Sequence, residues 1–176
     1  MTESLKRVVQ AARFDRDAFV WMDFNDRATG DGLIIVLIAR TLLQVGFGSS
    51  LLGLTTSLSG LEFLLAIAIN TAVFWLAYSG IVYAIARFLM EAGSSYALVL
   101  RITAYAYPTL LLLLVTDRLV NNALLALILG SLWFLAIMAH GMRYAADLPL
   151  ERAALAAGGG MLGWIIIANI LGRGLI

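Results

Sequence analysis

"FLLAIAINTAVFWLAYSGIVYAIARFLM", residues 63–90, carries a single charge, Arg87, near its end. A helix crosses a bilayer with about 20 mostly apolar residues, so this run can span with tilt or project beyond the hydrocarbon. Its apolarity is continuous rather than alternating, which excludes a strand of a membrane barrel. The run is a transmembrane helix, and the fold follows from asking how many others accompany it.

Composition agrees with that solvent. The chain has 176 residues, 62% of them hydrophobic and 13% charged; its mean hydropathy is +0.94. Soluble domains are less apolar and about twice as charged. The net charge of +1 and the lack of a basic block give no reason to expect nucleic acid. With no cysteine, a disulfide, a thiol nucleophile and a thiolate metal site are excluded.

Four more runs have spanning length: residues 32–53, 96–115, 123–142 and 153–171, around the one at 63–90. The expected fold is an all-α integral membrane protein, a five-helix transmembrane bundle over 32–176, preceded by a segment 1–31. Basic residues set its orientation. Lys6, Arg7, Arg13, Arg16, Arg27, Arg87, Arg101, Arg143 and Arg152 fall on one side, Arg118 and Arg173 on the other, and Arg40 within the first span. This predicts a cytoplasmic N-terminus and an outer C-terminus.

Residues 1–31 mix charges of both signs without a signal-peptide core, and read as mature protein. Leu5, Val8, Val9 and Ala12 make one helical stripe; Ala11, Phe14, Ala18, Trp21 and Met22 make another, with Asp15 placed to cap a new start between them. An amphipathic interfacial helix fits this pattern, and packing on the cytoplasmic end of the bundle is the alternative.

Polar residues inside the spans narrow the function. "RITAYAYPTLLLLLVTDR", residues 101–118, holds two tyrosines and Pro108 in an otherwise oily run. Proline has no amide hydrogen, so the carbonyl of Ala104 loses its helical donor. Arg40, about 12 Å into the first span at 1.5 Å per residue, lies at a similar depth if the two helices run parallel. Arg40, Tyr105, Tyr107 and Pro108 therefore form a candidate intramembrane polar cluster, the alternative being that Arg40 snorkels to the headgroups. His140 and Arg143 are a candidate interfacial polar pair. Asn70 and Asn169 suggest interhelical hydrogen bonds. Ala156, Gly159, Gly160 and Gly163 form a small-residue face for close helix packing, within the bundle or against a second copy. "DLPLER", residues 147–152, is a helix start with Pro149 in the first turn. Paired carboxylates at membrane depth, nucleotide loops and metal clusters are missing from the sequence, so no enzyme chemistry and no cofactor are expected.

"AYAYPTLLLLL", residues 104–114, and "WFLAIMAHGMRYAADLPLERAALAA", residues 133–157, resemble the third span and the fourth-to-fifth junction of the Ypt-interacting-protein (Yip) domain family of small membrane proteins. The resemblance implies five spans, a cytoplasmic N-terminus and a non-catalytic role, and the compact form is similar to bacterial members of the inner membrane. Eukaryotic members act in vesicle traffic and contact Rab-type GTPases. This chain has "WMDFNDRATGDG", residues 21–32, where they carry an acidic Leu-Tyr-Gly-Pro-like segment, and GTPase binding is not carried over. The expected function is a scaffold or accessory subunit that meets lipids, other membrane proteins or a second copy. The alternative is a small channel or carrier using the intramembrane polar residues.

Overall fold

A computed structural model describes residues 2–47 and 60–170. All elements among the described residues are helical. Two short helices, α1 (Thr2–Ala12) and α2 (Arg16–Phe24), precede α3 (Arg27–Phe47) and α4 (Gly60–Ala84), which ends in a π turn, Ile85–Leu89. Next come α5 (Tyr96–Ala106), a 3₁₀ turn (Tyr107–Leu111) and α6 (Leu112–Leu119) as one continuous span, then α7 (Ala123–Ala145) and α8 (Leu150–Ile170). Five of these segments are long and apolar enough to cross a membrane.

The five predicted runs are recovered as long apolar helices with shifted ends. The first helix begins at Arg27, inside the segment read as N-terminal, because Asn25 accepts from the Arg27 amide and starts the helix ahead of the apolar run. Its predicted continuation to residue 53 lies outside the described residues, as do Leu171 and Arg173. Pro149 stands just before the assigned start of α8, within the usual uncertainty of helix ends. Asp15 caps α2 by accepting from the Asp17 amide, and Ser95 and Asn122 do the same for α5 and α7.

The third span is the centre of the molecule. In its membrane-length window 67% of residues are buried, against 22 to 44% in the other four. It touches α3, α4 and α7, and α1 and α2 close over its N-terminal end. Between helices in lipid, association comes from packing and hydrogen bonds rather than from expelling water. Here packing is aromatic: Phe74 stacks on Tyr78 at 5.6 Å and meets Tyr107 and Trp164 edge-on at 5.4 and 5.2 Å. Phe134 reaches Tyr78 at 5.2 Å, which joins α7 to the same core. Trp75 Nε1 donates to the Leu100 carbonyl and Ser79 to Thr103, tying α4 to α5.

Candidate functional site

Arg101 organises one end of the bundle. It is 7% exposed, at the second turn of α5. Nε donates to Thr29 Oγ1 at 2.8 Å, Nη1 to the Met22 and Asp23 carbonyls at 2.8 and 3.2 Å, and Nη2 to Asp26 Oδ1 at 2.6 Å. Met22 and Asp23 lie in the last turn of α2, where carbonyls have no amide partner within the helix. A guanidinium there satisfies them and complements the negative end of the dipole. The N-terminal pair is thus locked to the central helix. In the sequence Arg101 registers only as an orientation charge. The signal that pointed to its role is the Asp23, Asp26 and Asp31 group in the segment facing it.

The expected polar cluster holds in part: Arg40 and Tyr107 come together, while Tyr105 goes elsewhere. Tyr105 and Tyr107, two residues apart, leave the helix on nearly opposite sides. The Tyr105 hydroxyl lies beside Ser4 and Asp31, which are themselves hydrogen bonded, and its ring contacts Trp21 at 5.9 Å. It belongs to the Arg101 end. Tyr107 faces the other way, with its hydroxyl beside Arg40. Pro108 does not simply kink the span. The helix tightens into a 3₁₀ turn from Tyr107 to Leu111, and Thr109 Oγ1 donates to the Ala106 carbonyl at 2.7 Å. Of the two acceptors expected for Arg40, the Ala104 carbonyl is not reached by Nε or Nη1, whereas a tyrosine hydroxyl, that of Tyr107, does lie beside the guanidinium. Nor does Arg40 snorkel, being 3% exposed.

Arg40 sits in a polar layer shared by three helices. Gly32 lies against Ala104 and Tyr105, and Gly46 against Leu114, so α3 runs parallel to the third span and Arg40 falls between those levels. Ser79 bonds Thr103 and Phe74 packs on Tyr107, so α4 runs antiparallel, and Thr71 lies one turn past Phe74 on the same face. That places Thr71 near the level of Leu110. Arg40, Thr71 and Tyr107 are all buried, and the hydroxyls of both Thr71 and Tyr107 lack a hydrogen-bond partner. Gln44, one turn beyond Arg40, is buried on the same side of α3.

The small-residue face packs within the chain, against α4. A Cβ on Gly160 would collide with Val82 and come within 3.2 Å of Tyr78; on Gly159 it would lie 2.9 Å from Ile85, and on Gly163 3.0 Å from Ile81. Ala156 is fully buried, and the Tyr78 hydroxyl crosses to the Ala157 carbonyl at 3.2 Å. His140 bonds within its own helix, Nδ1–H donating to the Ala136 carbonyl at 2.9 Å, while its ring meets Phe14 at 4.5 Å. Arg143 is exposed and lies over the Tyr144 ring, which Arg16 approaches as well. His140 thus meets the N-terminal segment through Phe14, while Arg143 lies against its own neighbour Tyr144, and the two do not act as a pair. Asn169 bonds the Ile165 carbonyl of its own helix, so the expected interhelical bond is not made.

No family model, curated protein or solved structure matches this chain.

Proposed function

We propose that this chain is a five-span protein of a bacterial inner membrane, N-terminus inside and C-terminus outside, that acts as a non-enzymatic scaffold or accessory subunit for other membrane components. We place it with the compact Yip-type proteins on the two motif regions at residues 104–114 and 133–157. The observation that carries the scaffold reading is the aromatic core. Phe74, Tyr78, Tyr107, Phe134 and Trp164 fill the space between α4, the third span, α7 and α8, where a transport route would otherwise run. The perimeter supports the same reading. In α4, Leu64, Leu65, Ile69 and Leu76 point outward on the least enclosed span.

The N-terminal helices add an interfacial anchor. Leu5 and Val9 of α1 turn away from the bundle, whereas Ser4 and Ala11 are buried against it. An apolar edge left outward beside Lys6 and Arg13 fits the headgroup level. Photocrosslinking from positions 65, 69 and 76 in the native membrane tests the scaffold reading. A discrete protein adduct confined to one face of α4 supports it; lipid adducts alone at all three positions count against it. A carrier reading is favoured by one observation, the Arg40 layer. Ion or solute flux into liposomes that depends on Arg40 would establish it in place of the scaffold.

A further inference from the structure

We propose that Arg40, Tyr107 and Thr71 form a binding site for a phosphate-type oxyanion, contributed either by a lipid headgroup or by a free ion. This goes beyond the scaffold reading and stands on a different observation. Two arginines are buried among the described residues, and they are treated in opposite ways. Arg101 has every guanidinium nitrogen engaged by protein oxygens. Arg40 is more deeply buried, yet Nε and Nη1 have no acceptor, and no carboxylate among the described residues pairs with it. An unpaired charge in a low-dielectric interior is costly even after relaxation, and the side chain has not turned outward to escape that cost.

The surrounding groups specify what would relieve it. Arginine offers five donors and no acceptor. The neighbouring Tyr107 hydroxyl is fully buried and unpartnered, as is the Thr71 hydroxyl in the same layer. The two hydroxyls can accept as well as donate, but among the described residues no carboxylate balances the guanidinium, and an anionic acceptor would supply the missing charge. A guanidinium matches a tetrahedral oxyanion in particular, because two parallel N–H groups can hold two of its oxygens. Gln44 continues the buried polar face toward the C-terminal end of α3, away from the Arg101 end.

The test uses the full chain in an uncharged detergent, with thermal unfolding followed against three probes. These are inorganic phosphate, short-chain phosphatidylglycerol, and uncharged diacylglycerol with the same acyl chains. Saturable stabilisation by a phosphate-bearing probe but not by diacylglycerol is expected. A response to inorganic phosphate identifies a free-oxyanion site; a response to phosphatidylglycerol alone identifies a headgroup site. Arg40→Gln should abolish the response. Tyr107→Phe, which keeps the ring in the aromatic core, should raise the half-saturating concentration by about fivefold, the worth of one hydrogen bond. No saturable response to either phosphate probe overturns the proposal, as does an undiminished response in Arg40→Gln. Should that variant fail to fold, undiminished binding in both Tyr107→Phe and Thr71→Val overturns it.

Discussion

Replacing Arg101 with methionine keeps the apolar stem and removes the guanidinium, and the structure says what should follow. Asp26 is fully solvent-exposed, so its carboxylate is rehydrated when the pair is lost and contributes little to the change. The loss comes from Thr29 Oγ1 of α3 and the carbonyls of Met22 and Asp23 of α2, three acceptors gathered by one buried side chain. Only the two carbonyls hold α2, so at roughly 1 kcal/mol for each net hydrogen bond the docking equilibrium loses about 2 kcal/mol, or on the order of thirtyfold. The five spans retain their own contacts, so the change should appear as release of α1 and α2 rather than global unfolding. Hydrogen exchange read by mass spectrometry is the direct assay. Amides of α2 should exchange faster by up to about thirtyfold, while those of α5 and α7 should change little. Arg101→Lys should fall between, since one ammonium has three donors and no fork to bridge acceptors on two elements. Unchanged exchange in α2 with methionine at 101 would refute the latch.

Gly160→Leu should destabilise the bundle by about 1–3 kcal/mol or more through overpacking against Val82 and Tyr78, seen as a lower unfolding temperature in detergent. Gly158→Ala, where an added Cβ meets nothing, should be neutral or stabilising by about 0.5–1 kcal/mol. Arg40→Leu in phosphate-free, lipid-free detergent should be neutral or stabilising, because Nε and Nη1 hold no protein acceptor to strand; a loss of stability would reveal a partner inside the bundle. Reporters fused to the two ends should read opposite sides of the membrane, and both on one side would break the five-span topology.

The number of long apolar helices was legible because a run of about 20 apolar residues has few other uses than a membrane-length helix. Which span is central was not, since all five are comparably apolar and burial against protein looks like burial in lipid. The polar residues of the third span are the readable trace of its position: Arg101, Thr103 and Tyr105 are tolerated because they meet other helices. The glycine face was readable as a face, but its partner α4 is a matter of topology. Assigning Tyr105 and Tyr107 to one cluster overlooked a local rule, that residues two apart on a helix diverge. The stripe of Leu5 and Val9 was seen as the buried side of an amphipathic helix in one of the two readings. It faces outward because the face turned to the bundle is the one with Ser4, bonded to Asp31, and Ala11, packed in the core.

The enclosed third span is open to a direct measurement, helped by the absence of native cysteine. Single cysteines at Ala106 in the third span and at Ile69 and Leu76 in α4 would carry a nitroxide label in lipid bilayers, and collision with dissolved oxygen would report exposure to hydrocarbon. Ala106 is fully buried, whereas Ile69 and Leu76 are about half exposed. High oxygen accessibility at 69 and 76 with low accessibility at 106 is the result this architecture requires. Equal accessibility at all three positions would contradict it.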